Sequence, residues 1–298
     1  MSLLVCALPG NERYSAKLRA RLGARTLRLE TRAFPDGESY VRLAGECRGR
    51  DIAFVCTLND PDPKFLGLLF AARAARELGA RRIGLVAPYL AYMRQDKRFR
   101  EGEAISSATF AALASEAFDW LVTVDPHLHR HASLGEIYSI PAEAAASAGV
   151  LSAWIRAHVR RPLIIGPDIE SARWAGAVAD GARAPVVVLE KRRRGDRDVR
   201  ISLPDLSRWR DHTPVLVDDI ISSGVTMARA AARLRAQRFA APVCAAVHAV
   251  FASGARERLE AAGCRVIATT DTITDASNRM STVALVAEAV KRVRARRK

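Results

Sequence analysis

The chain has 298 residues, of which 49% are hydrophobic and 27% are charged, and its formal net charge is +15. This apolar content is enough for a folded core and excludes intrinsic disorder as the main state. The length predicts two domains or one large domain. No apolar run approaches the ~18 residues that a membrane-spanning helix needs, so we expect no membrane partner.

The N-terminus and the cysteines predict a cytoplasmic protein. The opening residues MSLLVCALPGNER have no basic leader and are typical of a first β-strand rather than a signal peptide. The five cysteines are scattered and form no Cys-X-X-Cys motif. This pattern disfavours a disulfide framework and a structural zinc site.

The positive charge is mostly arginine. The tail KRVRARRK, residues 291–298, has six basic residues and no acid, and aromatic residues make up only 6% of the chain. Because aromatic and basic residues are not interleaved, nucleic-acid binding is disfavoured and we expect a solvated, arginine-rich surface. Lys191 is the only lysine between Lys97 and Lys291. An isolated lysine of this kind indicates a position that needs a compact ammonium group.

Short apolar runs alternate with helical patterns along the chain. The expected strands are Leu3–Leu8, Thr26–Ala33, Ile52–Thr57, Ile83–Pro88, Leu121–Asp125, Leu163–Pro167, Val186–Glu190, Val199–Leu203, Val215–Asp219, Val243–Val250 and Val266–Thr270. The expected helices are Arg13–Leu22, Lys64–Leu78, Ile105–Ala117, Ala142–Val159, Ser171–Ala179, Thr226–Arg238, Gly254–Ala262 and Ser281–Arg296. This alternation predicts an α/β fold with mostly parallel sheets flanked by helices. The pattern occurs twice, which predicts two similar domains, residues 1–142 and 143–298.

The segment PVLVDDIISSGVTMARAAARLRA is the most informative part of the chain. A buried strand ends in Asp218 and Asp219, and a turn of small residues, Ser222 to Thr226, opens a helix. The carboxyl end of a central strand is where ligands bind in α/β proteins. Backbone N–H groups at a helix N-terminus hold phosphate, and carboxylates accept hydrogen bonds from sugar hydroxyls. The segment therefore predicts a site for a phosphorylated ribose.

Six further segments occur in a fixed order. They are AFPDGESYVRL, APYLAYMRQDKRFREGEAIS, TVDPHLH, GPDIESARWA, LEKRRR and TTDTI. Together with the Asp218–Thr226 loop, they resemble the ribose-phosphate diphosphokinase family over nearly the whole chain. The resemblance implies two phosphoribosyltransferase-like domains and a homo-oligomer, a dimer or higher. It also implies transfer of the diphosphoryl group of ATP to the anomeric hydroxyl of ribose 5-phosphate, with release of AMP.

The resemblance assigns roles to residues of this chain. It places Phe34, Asp36, Glu38, Arg94, Gln95 and Asp96 at ATP. It places Asp218, Asp219, Ser222, Ser223, Gly224, Val225 and Thr226 at ribose 5-phosphate. His127 and Asp168 are the expected Mg²⁺-site residues. Lys191 and Arg193 are the expected catalytic residues on a mobile loop, where their charge stabilises the transferring group. We interpret His129 and His131 as surface residues, because Mg²⁺ prefers oxygen ligands.

The chain departs from the family pattern at the ribose loop. Ser222 stands where many members have an acid, and Val225 stands where they have glycine. A Cβ at residue 225 would disfavour a positive φ and close approach to phosphate. Two alternatives therefore stay open: a phosphoribosyltransferase, which would not need the N-terminal motifs, and a non-catalytic synthetase-like regulatory or nucleic-acid-binding protein.

Overall fold

A computed structural model describes residues 2–128, 130–194, 198–202 and 204–296. It divides the chain into two compact units. The N-terminal unit comprises Met1–Ala146 together with Thr282–Lys298, and the C-terminal unit comprises Ser147–Ser281. No helix among the described residues has the length and apolar character to cross a bilayer.

The helices and strands alternate as the sequence predicts. In the described residues the strands are β1 (Leu3–Ala7), β2 (Arg25–Ala33), β3 (Ser39–Ala44), β4 (Asp51–Val55), β5 (Arg82–Ala87), β6 (Trp120–Val124), β7 (Ala142–Ala145), β8 (Pro162–Gly166), β9 (Val186–Val188), β10 (Glu190–Arg194), β11 (Asp198–Ser202), β12 (Thr213–Ile221), β13 (Val243–Ala249), β14 (Val266–Thr270) and β15 (Asn278–Met280). The helices are α1 (Glu12–Leu22), α2 (Asp62–Glu77), α3 (Ser106–Ala117), α4 (Ala148–His158), α5 (Ala172–Ala182), α6 (Val225–Ala236), α7 (Ala255–Ala261) and α8 (Val283–Ala295).

Each unit is built on one mostly parallel sheet, which confirms the predicted fold class. The described strands of the N-terminal unit have the order β3-β2-β1-β4-β5-β6-β7, and only β3 runs antiparallel to its neighbour. Those of the C-terminal unit have the order β15-β14-β13-β12-β8-β9, and β10 pairs with β11 as a separate antiparallel ribbon. When β3 is set aside, both sheets follow one connection pattern, so the predicted repeat is a repeat of topology.

Parallel strands buried on both faces explain the continuous apolar runs in the sequence. All five residues of β4 and all five of β6 are buried. In the C-terminal unit, Leu163, Leu216 and Cys244 lie in a core cluster with Met227 and Leu234 of α6. All five cysteines are free thiols.

The structure differs from the predicted helix Ala142–Val159. Ala142–Ala145 forms β7, which pairs in parallel with β6, and α4 starts only at Ala148. The sequence AEAA favours a helix by intrinsic propensity, but pairing with the buried β6 overrides that preference. Four strands were not predicted, namely β3, β7, β10 and β15.

The C-terminal helix changes the expected domain division at residues 142 and 143. Helix α8 packs against α1, β6 and β7, so the last residues of the chain belong to the N-terminal unit. Tyr14 on α1 and Thr282 before α8 are joined by a hydrogen bond between their hydroxyls, 2.9 Å long. The chain therefore closes its first unit with its last helix.

Ion pairs attach the basic end of α8 to this unit. Arg294 lies 2.9 Å from the carboxylate of Asp51, which is also 2.7 Å from Arg81. Arg292 and Arg296 both pair with Glu143 at 2.8 Å. Much of the predicted solvated tail is thus a structural contact, although Arg297 and Lys298 lie outside the described residues.

Asp51 is the most buried member of this network, with its side chain 2% exposed. Burial acts to raise the pKa of Asp51, but the hydrogen bonds and charges of Arg294 and Arg81 together hold that pKa below its ordinary value. A carboxyl group with a lowered pKa stabilises the folded state above its unfolded pKa. That stabilisation is lost as the pH falls through the folded pKa.

We predict that Asp51→Asn lowers the free energy of unfolding by about 2–3 kcal/mol at pH 7, because it leaves two arginines without their carboxylate. The estimate is below that for a fully buried pair because the Arg81 side chain is 38% exposed. Urea denaturation would measure the change. The difference from wild type should shrink as the pH falls below the ordinary carboxyl pKa of ~3.9.

The matched control is Glu30→Gln, since Glu30 pairs with Arg42 at an exposed position. This variant should leave the urea midpoint unchanged. Equal midpoints for Asp51→Asn and wild type at pH 7 would show that the Asp51 network contributes nothing.

Candidate active site

The carboxyl end of β12 carries two half-buried carboxylates, Asp218 and Asp219. Strand β12 lies between β8 and β13, with parallel pairing on both sides. The backbone N–H of Asp219 donates a hydrogen bond to the Asp218 carboxylate, 3.0 Å long. The sheet therefore fixes both residues at one edge, as the sequence predicts.

Asp168 adds a third carboxylate to this edge, because it follows the neighbouring strand β8. Burial raises the pKa of Asp218 well above its ordinary value, and the charges of Asp219 and Asp168 raise it further. The three groups therefore repel one another, and a cation or a set of hydroxyl donors would relieve that repulsion. Asp168 also accepts a hydrogen bond from the backbone N–H of Ser171, 3.2 Å long, and caps a short 3₁₀ helix, Ile169–Ser171.

The type of metal that fits can be judged from the donors. Among the residues that the structure describes, no three His, Cys, Asp or Glu side chains are grouped as a metal cage. Mg²⁺ commonly uses one or two carboxylates, keeps several waters and takes its other ligands from a bound phosphate. Carboxylates that repel one another at a strand end fit such an ion, and they do not fit structural zinc.

The loop after β12 makes the turn that the sequence predicts. Gly224 has φ 68° and precedes α6, which begins at Val225. Val225 therefore starts a right-handed helix, and the positive φ falls on glycine. The concern that a Cβ at Val225 would disturb the loop does not apply, since the left-handed residue is the one before it.

Packing also requires glycine at position 224. A Cβ added there would lie 3.3 Å from the carbonyl oxygen of Ala255 and 3.4 Å from Leu259 on α7. The loop is also held by hydrogen bonds from the chain after β13: Phe251 N–H donates to the Ile221 carbonyl (2.9 Å) and Ala252 N–H to the Ser222 carbonyl (3.0 Å). These contacts join segments about 30 residues apart, and no local sequence pattern indicates them.

Lys191 and Arg193 lie on β10, in the ribbon with β11. In the backbone register, Lys191 is opposite Ile201 and Arg193 is opposite Val199. The side chains of both residues lie outside the described part of the structure, as do residues 195–197 between the two strands. Their proposed roles stay predictions.

In the N-terminal unit, Phe34, Asp36 and Glu38 form the tip of the β2–β3 hairpin. Phe34 N–H donates to the Glu38 carbonyl (2.8 Å), and Glu38 N–H donates to the Asp36 carboxylate (3.2 Å). The Phe34 ring is 38% exposed, and the Arg32 guanidinium lies 4.3 Å from its centre. The hairpin thus presents an aromatic ring at an exposed turn, where a base could stack on it.

Arg94, Gln95 and Asp96 lie in the loop between β5 and α3. Gln95 donates to a carboxylate oxygen of Glu103 (3.3 Å), and the same oxygen accepts from the N–H of Phe99 (2.8 Å). Backbone hydrogen bonds from Phe99 and Arg100 lower the pKa of Glu103, so this carboxylate organises the loop. The sequence did not single out Glu103.

Asp96 connects this loop to the one after β6. Its side chain is 9% exposed and lies 3.4 Å from Arg130. His127, half-buried, lies in the same β6 loop, and β5 and β6 are neighbours in the sheet. The structure thus brings Arg94–Asp96 and His127 to adjacent strand ends, whereas β1 and β4 separate the hairpin from them in the strand order. His131 is half-buried beside Glu136 (3.2 Å) rather than fully exposed, and His129 lies outside the described residues.

Comparison with known proteins identifies a consistent family. Residues 3–117 match the family pattern described as the N-terminal domain of ribose phosphate pyrophosphokinase. Residues 133–280 match a phosphoribosyl transferase domain. The ribose-phosphate pyrophosphokinase of Methanopyrus kandleri is 34% identical over 97% of this chain and 98% of its own length. That of Saccharolobus solfataricus is 34% identical over 83% of this chain and 85% of its own length.

A solved structure has the same architecture. The crystal structure of phosphoribosylpyrophosphate synthetase from Mycobacterium smegmatis is 25% identical in sequence, with a TM-score of 0.84. The similarity covers 99% of both chains. Both predicted domains therefore have counterparts in one known protein.

We predict that Gly224→Ala destabilises the C-terminal unit by about 1–2 kcal/mol, because alanine disfavours the left-handed conformation. Thermal denaturation would measure the change. The control is Gly176→Ala within α5, where an added Cβ meets no atom within 4 Å. That variant should gain up to about 1 kcal/mol. Equal effects of the two substitutions would contradict the role of Gly224 in the turn.

Proposed function

The chain belongs to the ribose-phosphate pyrophosphokinase family, and from this premise we propose that it transfers the diphosphoryl group of ATP to the anomeric hydroxyl of ribose 5-phosphate. The products are phosphoribosyl diphosphate and AMP. The observation that carries the proposal is the combination of the Asp218–Asp219 strand end and phosphate-type loop in one unit with a family-specific N-terminal unit in the same chain.

The two alternatives are less well supported. A phosphoribosyltransferase shares the loop but has no need of the N-terminal unit, which matches the pyrophosphokinase pattern over residues 3–117. A non-catalytic regulatory or nucleic-acid-binding protein drew its main support from Val225 and from the basic tail. Val225 starts α6 after a glycine of suitable φ, and the described tail arginines pair with Glu143 and Asp51.

The C-terminal unit would hold the sugar phosphate. Asp218 and Asp219 are suited to accept hydrogen bonds from the ribose hydroxyls. Ser222, Ser223, Gly224, Val225 and Thr226 would hold the 5-phosphate through backbone N–H groups, the hydroxyls and the N-terminus of α6. This assignment explains why glycine and small residues occupy the turn.

The N-terminal unit would hold ATP. Phe34 offers an exposed ring for the adenine, with Asp36 and Glu38 in the same turn, and Arg94 offers a planar guanidinium for phosphate oxygens. Gln95 and Asp96 form the rest of this loop, although the contacts of Asp96 with Arg130 point to a structural contribution as well.

The metal that we propose is Mg²⁺, with Asp168 and His127 as its site residues. When bound with ATP, Mg²⁺ neutralises phosphate charge and orients the diphosphoryl group. Asp168 would contribute a carboxylate oxygen beside the Asp218 pair. His127 would lie toward the phosphates.

The residues themselves perform positioning and charge neutralisation. The anomeric oxygen attacks the β-phosphorus, the bond from that phosphorus to the α-phosphate oxygen breaks, and AMP leaves. Lys191, Arg193 and Arg94 would stabilise the negative charge that is redistributed during this transfer. A homo-oligomer and a cytoplasmic location stay predictions.

The direct test is incubation of the full chain with ATP, Mg²⁺ and ribose 5-phosphate, followed by measurement of AMP. We expect AMP in proportion to added sugar phosphate, and none above background with ribose or without sugar. AMP formation that does not depend on ribose 5-phosphate would contradict the proposal.

We predict that Lys191→Ala lowers kcat by ~10²–10³, by analogy with loss of one donor to a developing charge. A coupled AMP-release assay would measure it, and the circular dichroism spectrum should match wild type. Lys17→Ala, at an exposed position on α1, is the control and should keep full activity. Near-normal turnover of Lys191→Ala would exclude its catalytic role.

A further inference from the structure

Three successive carbonyl groups of the ribose loop are tied to one neighbouring segment. The carbonyls of Ile221 and Ser222 accept from the N–H groups of Phe251 and Ala252. The third carbonyl, that of Ser223, accepts a hydrogen bond from the guanidinium of Arg258 on α7. We call residues 251–258 the backing segment.

The backbone geometry gives this arrangement a direction. In a trans peptide the carbonyl of one residue and the N–H of the next point to opposite sides. Because the carbonyls of Ile221, Ser222 and Ser223 face the backing segment, the N–H groups of Ser222, Ser223 and Gly224 are directed away from it. Successive N–H groups aimed to one side form the concave anion-binding arrangement that a phosphate requires.

Close packing keeps the loop against its backing. Gly224 approaches the Ala255 carbonyl and Leu259 so closely that no Cβ fits there without a shift. The backing segment has its own constrained turn, since Phe251 has φ 34° and Gly254 has φ 72°. Of the three carbonyl contacts, the one from Arg258 comes from a side chain, so a substitution can remove it without altering the backbone.

We propose that Arg258 is a positioning residue for ribose 5-phosphate: its guanidinium holds the Ser223 carbonyl and thereby aims the N–H group of Gly224 at the 5-phosphate. Its side chain is exposed rather than buried in the core, so its role in folding is small. Its charge also favours an anion at this end of the unit. The inference rests on the proposed function, because it assigns the loop to the sugar phosphate.

The test compares Arg258→Ala and Arg258→Lys with wild type in steady-state kinetics, with each substrate varied in turn. For Arg258→Ala we expect the KM for ribose 5-phosphate to rise about tenfold, the scale of one charged hydrogen bond. The kcat and the KM for ATP should change less than about twofold. Arg258→Lys should recover part of the loss, since an ammonium group can also donate to the Ser223 carbonyl.

Titration calorimetry with ribose 5-phosphate provides a readout that does not depend on turnover, and Arg265→Ala provides the control. Arg265 is an exposed arginine after α7, and its removal takes away the same charge without touching the loop contact. We expect wild-type affinity for Arg265→Ala and weaker binding for Arg258→Ala.

Several outcomes would overturn the inference. These are an unchanged KM for ribose 5-phosphate in Arg258→Ala, a loss of kcat alone, or a lowered melting temperature with unchanged sugar-phosphate binding. An equal loss in Arg265→Ala would also overturn it, because the effect would then be one of net charge. If wild type itself forms no AMP with ribose 5-phosphate, the proposed function fails, which is a different result from failure of Arg258 alone.

Discussion

The chain must turn from β12 into α6 within three residues, and that turn positions the groups proposed to hold the sugar phosphate. Parallel pairing with β8 and β13 fixes β12 from both sides, so Asp218 and Asp219 are held at the sheet edge. Gly224 completes the turn with φ 68° while lying against α7. A loop constrained in this way presents backbone N–H groups at little cost in conformational entropy when the ligand binds.

The two units use one topology for different purposes. In the C-terminal unit the strand that occupies the position of β4 is β12, which carries the two carboxylates. At the same place in the N-terminal unit, the ammonium group of Lys64 donates to the Thr57 carbonyl (3.1 Å) and to the Asn59 side chain (2.9 Å). A loop of carbonyls around a cation is unsuited to phosphate. This unit instead offers the hairpin ring of Phe34 and the Arg94 loop, and α8 closes it through Asp51 and Glu143.

Local patterns in the sequence predicted most strands and the site motifs, because buried parallel strands give continuous apolar runs and chemistry-bearing residues follow their ends. The sequence could not predict β7, since Ala142–Ala145 becomes a strand only through pairing with β6. It also missed the Arg292–Glu143 pair and the Arg258–Ser223 contact, which join positions 149 and 35 residues apart. The concern about Val225 failed for a related reason: the one-residue placement of the positive φ depends on how the loop packs against α7.

The central claim is that a diphosphoryl group, and not a single phosphoryl group, moves from ATP to the sugar. A ³¹P NMR time course of the full chain with ATP, Mg²⁺ and ribose 5-phosphate tests it most directly. The account predicts that AMP and a sugar-bound diphosphate appear in equal amounts while ATP is consumed. Formation of ADP with a sugar bisphosphate, or of AMP with free diphosphate only, would contradict it.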